Sequence, residues 1–360
     1  MPGWVFDSYI LPFYVFQGAI IFIGLYLLIL KVIKAPFSLS LFLLKKIGSF
    51  RNWYNKITSK KQIIKYNAGR RKFITGTTMA VSGYAFFASG MGVIKRNKYE
   101  ITKVDIAIPD LPIEMKGTTF ILASDFHSGP YMPEEMMKEY TDAINSLQGD
   151  YIILPGDFTN SNIKEVVPFA KAFRDLKAKK GIYGTLGNHD YFSDPNYIAE
   201  YIFNETPIKL LRNSAEILNI NGKPLCLLGM EDTRESGVRF TNELQAYMDK
   251  TLLTAQNVTA ENGFEYGSIP KIMIYHKPYF MDKMSDANMD LVLSGHTHGG
   301  QVVLFDAMGV NLSLASTVSP FISGFYKHKN SQLYVSRGIG MVGLPMRLNC
   351  PPEITKITLV

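Results

Sequence analysis

Acidic residues are missing from a long stretch near the amino terminus of this chain. Between Lys31 and Lys98 there are many lysines and arginines but no aspartate or glutamate. The formal net charge is +7, and without this stretch the remainder is acidic. The basic excess is therefore local, and it points to membrane topology before it points to nucleic acid. We expect no nucleic-acid partner, because the rest of the chain carries no basic excess.

Cysteine is scarce, and low-complexity sequence is absent. Two cysteines, Cys226 and Cys350, do not make a disulfide framework, and neither has the spacing of a metal-binding motif. They do not fix the compartment. No internal repeat interrupts the 360 residues, so most of the chain is expected to fold as one large catalytic domain plus an additional region.

An uncharged run near the start predicts a membrane span. It covers residues 9–30, which is long enough to cross a bilayer as a helix. Its flanks are typical of a span, and they are Trp4, Tyr9 and Tyr14 on one side and Lys31 and Lys34 on the other. We place the span at about 9–31. Pro36 is expected to break the chain, and the short apolar segment 37–44 to lie along the membrane interface.

A second uncharged run follows a basic loop. The loop is predicted at 45–72, and the run at 73–94 is rich in small residues, like the core of an export signal. Directly before it, Arg70 and Arg71 resemble the twin-arginine export motif. No convincing cleavage site follows, so we expect the run to be retained as a second anchor. Residues 1–100 are therefore predicted to form a membrane region.

The positive-inside rule orients this region. It keeps the basic loop in the cytoplasm and places everything after Ile94 at the outer face of a bacterial cytoplasmic membrane. The opposite orientation is favoured by the positive charges of Lys95, Arg96 and Lys98. The charge of the loop also fits contact with anionic membrane lipid.

From residue 101 to residue 360, short apolar strands alternate with amphipathic helical stretches. Strands are predicted at 118–124, 151–154, 181–186, 224–229, 271–275, 290–293, 332–336 and 354–360. Helices are predicted at 133–147, 163–176, 195–203 and 242–253. Asn221-Gly222 between two apolar runs predicts a hairpin turn. This alternation indicates a layered α/β domain.

Polar side chains that can bind metal follow the ends of these strands. They are Asp125, His127, Asp157, Asn188, His189, Asp190, His276, His296 and His298. Ligands bind beyond the carboxyl ends of the strands in open α/β sheets, so these side chains should converge. Five of the six histidines stand at strand ends, which scattered surface histidines would not do. Since histidine is the commonest metal-ligating side chain, the set predicts a metal or acid–base site.

The order of these motifs resembles the calcineurin-like metallophosphoesterases. The motifs are D-x-H, G-D, G-N-H-D, a lone H and G-H-x-H, and the resemblance covers roughly residues 118–305. The segment 336–353, the membrane region and the Arg-Arg motif resemble the exported, membrane-linked subgroup. The resemblance implies a four-layer sandwich of two mixed β-sheets flanked by helices, here preceded by transmembrane helices.

The resemblance also implies two divalent cations, for which the ligand types favour Mn, Fe or Zn. The first cation would be held by Asp125, His127, Asp157 and His298, and the second by Asp157, Asn188, His276 and His296. His189 would not bind metal but would act as a proton donor or charge stabiliser for the leaving oxygen, oriented by Asp190. Asn160 departs from the pattern, because many relatives carry an acid there.

Such a site suits the hydrolysis of phosphate esters. Two cations bring four positive charges and two carboxylates cancel two, which leaves a net charge of about +2 to attract phosphate. A hydroxide bridging the cations would attack phosphorus. The expected function is a phosphoesterase that hydrolyses phosphate mono- or diesters, anchored at the membrane surface, with a lipid or cell-envelope ester as the substrate class.

Two other functions stay open at this point. A nucleotide-sugar lipid pyrophosphohydrolase would require a cytoplasmic active site, and a metal-binding scaffold without catalysis would need no substrate at all. Further polar residues are either contacts to the site or to phosphate, or parts of solvated turns. These are Glu231, Asp232, Arg234, Lys277 and Arg337.

Overall fold

The computed structural model describes residues 6–59, 61–234, 239–307 and 310–360. Trp4, expected to flank the first span, lies outside the described residues. The chain divides into two units, Met1–Ile94 and Lys95–Val360, and each is considered by itself. The boundary expected from the sequence was residue 100.

The first unit is helical wherever the structure describes a regular element. After a π-helical turn, its helices are α1 (Leu11–Leu44), α2 (Gly48–Thr58) and α3 (Lys61–Ile94). The expected break at Pro36 is wrong, because α1 continues through it. Proline removes only one intrahelical hydrogen bond, and the residues on both sides favour the helix. The predicted basic loop at 45–72 is also largely helical, since α2 and the start of α3 lie within it.

Two helical segments of this unit are long and apolar enough to cross a membrane. They are Ser8–Leu44 and Gly69–Ile94, with mean hydropathies of 2.3 and 1.2. Within the unit α1 lies beside α3, and the rings of Phe16 and Phe86 are 6.1 Å apart. Many outward apolar side chains are exposed, for example Phe37 and Phe73. Length and composition thus agree with the expected membrane region.

In its described residues, the second unit contains two six-stranded sheets and a separate hairpin. Its strands are β1 (Glu100–Ile106), β2 (Thr119–Leu122), β3 (Tyr151–Leu154), β4 (Gly181–Gly184), β5 (Lys209–Leu210), β6 (Ser214–Ile220), β7 (Lys223–Met230), β8 (Lys271–Tyr275), β9 (Leu291–Ser294), β10 (Phe305–Ala307), β11 (Val310–Leu312), β12 (Gly324–His328), β13 (Ser331–Val335) and β14 (Glu353–Leu359). Its helices are α4 (Glu134–Ser146), α5 (Val166–Phe173), α6 (Pro195–Glu205), α7 (Asn242–Glu261) and α8 (Met281–Asp286). The predicted α/β class is confirmed.

Both large sheets mix parallel and antiparallel pairs. The first has the strand order β1, β14, β2, β3, β4, β5, and the second β12, β13, β9, β8, β7, β6. In the first sheet β2, β3 and β4 run parallel, and in the second β7, β8, β9 and β13 do. The carboxyl ends of parallel neighbours lie at one edge of a sheet, which is where the polar side chains follow.

Three apolar clusters hold these layers together. The first joins the first sheet to α4, α5 and α6, and Phe126 and Phe169 lie in it. The second combines side chains of both sheets, such as Phe120 and Leu293. The third joins the second sheet to α7 and α8, as Met248 does. Each sheet therefore buries apolar side chains on both faces, which explains why β3 and β8 read as uninterrupted apolar runs.

The predicted elements differ from the observed ones mainly at their ends. The bounds of β3 and β8 are as predicted, and the Asn221-Gly222 turn joins β6 to β7 with positive φ at both residues. Helix α7 continues eight residues beyond the predicted end at Leu253. Its last turns are polar by composition, but Ala255 and Thr259 are fully buried there. Tertiary packing thus extends a helix that the apolar periodicity alone does not mark.

Candidate metal centre

The predicted site residues lie just after five strand ends, which belong to both sheets. From the first sheet, β2 leads into Asp125 and His127, β3 into Asp157, and β4 into Asn188 and His189. From the second, β8 leads into His276 and β9 into His296 and His298. The two sheets face one core, so their strand ends deliver these side chains to one place.

One half of the cluster consists of Asp125, His127 and His298. The Nε2 atoms of the two histidines are 2.9 Å apart. Asp125 Oδ1 lies 3.5 Å from His298 Nε2 and 4.0 Å from His127 Nε2. All three ligand atoms lie within 4.8 Å of one another, which is a suitable spacing for a shared metal ion.

The other half consists of Asp157, His276 and His296. Asp157 Oδ2 is 3.1 Å from His276 Nε2, which in turn is 3.2 Å from His296 Nδ1. The same Asp157 oxygen is 3.5 Å from His127 Nε2. Asp157 therefore contacts both halves of the cluster, the position that the resemblance gives to a bridging ligand.

Asn188 provides a test of whether a metal fits here. Its side chain is buried, and Oδ1 has no hydrogen-bond partner within the described part of the chain. A buried acceptor without a partner costs about 1–3 kcal/mol, so such atoms are rare unless a ligand satisfies them. Imidazole nitrogens, carboxylates and one amide oxygen form a donor set that fits a borderline divalent cation.

Hydrogen bonds outside the cluster set the orientation of its members. His276 Nδ1 lies 2.7 Å from the carbonyl oxygen of Pro155. A carbonyl only accepts, so Nδ1 carries the proton and Nε2 keeps its lone pair for a metal. The backbone N–H of His296 donates to both oxygens of Asp125, at 2.9 and 3.1 Å. The two sheets are thus linked at the ligands themselves.

Five of the side chains stand on left-handed backbone. The φ angles are 57° at Asp125, 48° at His127, 56° at Asp157, 72° at His296 and 51° at His298. A non-glycine residue in this region costs roughly 1–3 kcal/mol and persists only where its surroundings hold it. This concentration of strain marks the cluster as a place where the chain is shaped for a ligand rather than for stability.

Glycine is required at the turn after β9. A Cβ atom on Gly295 would lie 2.1 Å from Ser124 Oγ and 2.3 Å from Asp125 Oδ2. The backbone of this turn therefore packs directly against the Asp125 carboxylate, which no larger residue allows.

Burial and mutual charge shift the pKa values of the cluster. Burial raises the pKa of Asp125 to about 6, against the lowering effect of His276. For His276 burial acts to lower the pKa, but the Asp157 carboxylate outweighs it and the pKa rises to about 10. Burial likewise acts against ionised Asp157, yet His276 holds its pKa well below the usual range. Asp157 and His276 therefore each favour the charged form of the other.

His189 lies at the edge of the cluster, but the group that orients its ring is not the predicted one. Its ring meets that of His127 edge-on, with centroids 4.5 Å apart, and it forms a third possible metal group with His127 and Asp157. The ring is held by the carbonyl oxygen of Asn160, 2.6 Å from Nδ1. Its backbone N–H donates to Asp157 Oδ1 at 2.8 Å.

Asp190 does not orient His189, so that part of the prediction is corrected. Its carboxylate accepts hydrogen bonds from the backbone N–H groups of Phe158, Thr159 and Gly187 and from the Thr159 hydroxyl. These donors belong to the loops after β3 and β4. Asp190 therefore fixes the two loops that carry Asp157 and Asn188, because the two oxygens of a carboxylate together accept several backbone hydrogen bonds.

The additional polar candidates are mostly paired. Asp232 and Lys277 form a buried salt bridge of 2.8 Å, and Glu231 accepts from Arg212 at 2.6 Å. Glu231 and Asp232 are both buried, which excludes a solvated turn for them. Arg337 contacts Glu353 and Glu100, and Arg234 is exposed.

The sequence does not reveal the role of Arg347. This buried guanidinium donates to the carbonyl oxygens of His298, Arg337, Gly338 and Gly340. It joins the turn after β9 to the segment before β14. Since 49 residues separate Arg347 from His298, no local spacing links them. Two aromatic rings were also missed: Phe192 lies 4.6 Å from the ring of His189 and Tyr279 lies 5.3 Å from that of His296.

Several known proteins are similar to this chain. The family model described as "Calcineurin-like phosphoesterase" matches residues 118–300. A "Transmembrane protein with metallophosphoesterase domain" of Danio rerio is 28% identical over 266 residues, which cover 72% of this chain and 57% of that protein. An "Uncharacterized metallophosphoesterase" of Aquifex aeolicus is 31% identical, over 72% of this chain and 91% of that protein. The crystal structure of TT1561 of Thermus thermophilus matches 62% of this chain and 90% of its own, with 10% identity and a TM-score of 0.38.

Proposed function

Since this chain belongs to the calcineurin-like phosphoesterase family and is a metal-dependent phosphoester hydrolase, we propose that it hydrolyses phosphate mono- or diesters at a dinuclear metal centre. The observation that carries the proposal is the position of Asp157, which contacts both halves of the cluster. The three apolar clusters also support the four-layer sandwich that the family resemblance implies.

Each cation would have its own set of side chains. Asp125, His127, Asp157 and His298 would hold the first, and Asp157, Asn188, His276 and His296 the second. When bound, two divalent cations such as Mn, Fe or Zn would supply positive charge against the phosphate and lower the pKa of a water molecule. The ligand residues keep that charge net positive, because five of the seven are neutral when bound.

His189 would serve the leaving oxygen. Its Nδ1–H donates to the Asn160 carbonyl, so the ring is fixed and Nε2 is the atom left for chemistry. In the imidazolium form Nε2 carries the proton that a departing alkoxide needs. Asp190 has a positioning role, because it fixes the loops of Asp157 and Asn188.

Hydrolysis assays on the purified full chain test the reaction. With Mn²⁺ added, we expect turnover of an aryl phosphate monoester or diester, and the ratio of the two rates gives the preference. Asp157→Asn is the control for contaminating phosphatase. Bound metal without turnover of either ester would instead favour the non-catalytic scaffold.

Membrane anchoring at the outer face of a bacterial cytoplasmic membrane is the second part of the proposal. It is supported by the two apolar helical segments, by the basic residues between them and by the printed name of the Danio rerio relative. Such an anchor favours a lipid or cell-envelope phosphate ester as substrate, with membrane lipid as the partner of the helices. Arg70 and Arg71, both exposed, remain the basis for proposing twin-arginine export.

A reporter fused after Val360 tests the orientation. An enzyme active only outside the cytoplasm, such as alkaline phosphatase, should be active in this fusion, and a cytoplasmic fluorescent reporter should be dark. The reverse result would favour the nucleotide-sugar lipid pyrophosphohydrolase, which needs a cytoplasmic active site.

A further inference from the structure

The second unit carries an exposed apolar surface outside its metal centre. We call it the apolar hairpin and define it as the described residues 304–307 and 310–318. The large apolar side chains of this surface are Leu304, Phe305, Leu312, Leu314 and Val318, with exposures of 48%, 50%, 53%, 81% and 53%. Its strands β10 and β11 pair with each other and with neither large sheet in the described part of the chain. Two isolated strands are marginally stable in water, so this surface calls for a partner.

The hairpin is also nearly free of charge. Asp306 is the only charged residue between His298 and Lys327. Backbone groups pair inside the hairpin, where Phe305 is opposite Leu312 and Leu304 N–H donates to the Leu312 carbonyl. An apolar environment demands such internal pairing, because it offers no water to unpaired backbone groups. The composition and the backbone hydrogen bonding of the hairpin thus suit a segment that moves from water into an apolar environment.

The first unit of the chain indicates that a lipid bilayer is the partner of the apolar hairpin. Ile94, the last residue of a helix long and apolar enough to cross a membrane, is followed directly by the second unit. A bilayer attached to the same chain is present at high effective concentration. Protein interfaces usually surround an apolar centre with a polar, charged rim, and this stretch of chain offers Asp306 alone.

We propose that the apolar hairpin inserts its exposed side chains into the outer part of a lipid bilayer. The hairpin packs next to the metal centre. A Cβ atom on Gly300 would lie 2.4 Å from Ser313 Oγ of the hairpin, and Gly300 is two residues from His298 in the chain. Insertion would therefore hold the centre at the level of lipid headgroups. The insertion rests on the proposed membrane anchoring, and this consequence rests in addition on the proposed phosphoesterase function.

Quenching by brominated lipid tests the insertion. The full chain is reconstituted into phosphatidylcholine vesicles with bromine on the acyl chains, and Leu314→Cys carries an environment-sensitive fluorophore. Cys226 and Cys350 are buried and should not react. Leu253→Cys is the matched control, since Leu253 is a 58% exposed leucine on α7. Relative to the same vesicles without bromine, we expect the fluorescence of the label at position 314 to fall at least twofold and that of the label at position 253 to stay the same.

A second variant separates insertion from misfolding. Adding Phe305→Asp to the labelled Leu314→Cys protein should abolish the quenching while the thermal midpoint of unfolding stays unchanged. Equal quenching at positions 314 and 253 would overturn the proposal. So would a disulfide between two copies of the unlabelled Leu314→Cys protein under oxidising conditions, which would make the hairpin a contact between chains. The readout requires no hydrolysis, so it remains interpretable if the phosphoesterase proposal fails.

Discussion

Asp157 connects the two halves of the site. It contacts the rings of His127 and His276, accepts the backbone N–H of His189 and stands on left-handed backbone. A Cβ on Gly187 would lie 2.3 Å from its carboxylate, so the next loop is also packed against it. The negative charge of this one side chain therefore holds three loops in register.

Replacing Asp157 by asparagine tests this central role. The amide keeps the shape but loses the charge that pairs with His276 and with metal. We expect metal analysis to fall from two cations per chain to one or none, and kcat/KM to drop by more than about 100-fold, the upper cost of losing an outer partner. Full metal content with full activity would show that the carboxylate is not a ligand.

Alanine in place of His189 should have a different effect. Because the ring serves the leaving oxygen and not the metal, metal content should remain while kcat falls by about 10²- to 10⁴-fold. His328→Ala is the control, since this histidine contacts Asp282 away from the centre and should not change either value. Loss of metal in His189→Ala would instead support the third possible group, which includes His127 and Asp157.

Strands and their connecting loops are the level at which the sequence was most informative. Each apolar run was followed by a polar group, so the ligand side chains could be placed at strand ends without any structure. What could not be predicted is how the loops are held. The sequence predicts that Asp190 orients its neighbour His189, yet Asp190 accepts the backbone N–H of Thr159 in the loop after β3. Arg347 escapes prediction because its carbonyl partners come together only in the folded chain.

The turn after β9 allows a sharp test at this level. Gly295→Ala would force its methyl group against Ser124 and the Asp125 carboxylate. Overpacking of this kind costs about 1–3 kcal/mol, so urea unfolding should show that loss and metal affinity should fall with it. Gly267→Ala adds a methyl group whose nearest neighbour, Glu265 Oε1, is 4.0 Å away, and should stay within about 0.5 kcal/mol of the parent. Equal stability of the two variants would contradict the packing argument.

At the scale of the whole molecule, the centre joins two sheets. Alternating strands and helices predicted the α/β class, and the apolar runs predicted buried strands. The two-sheet arrangement itself was implied by the family resemblance, because periodicity does not say which strands pair. Strand β14 illustrates this: it lies between β1 and β2 although its sequence neighbours β12 and β13 belong to the other sheet.

Metal removal should weaken this junction. A ligand present at 100 times its dissociation constant stabilises the folded state by about 2.7 kcal/mol. For a unit of this size that corresponds to a thermal midpoint roughly 5–10 °C higher with metal than after treatment with a chelator. Calorimetry on both forms measures the difference. Asp157→Asn should show little of it, and an equal shift in that variant would indicate metal bound elsewhere.

The place of β14 has a consequence for how the protein is made. All the ligand residues leave the ribosome before Glu353–Leu359, yet the first sheet has a gap between β1 and β2 until those residues arrive. The segment leading into β14 also covers Asp125, since the Gly340 N–H donates to its carbonyl oxygen. A nascent chain that already contains every predicted metal-binding side chain therefore still lacks the strand that completes the first sheet.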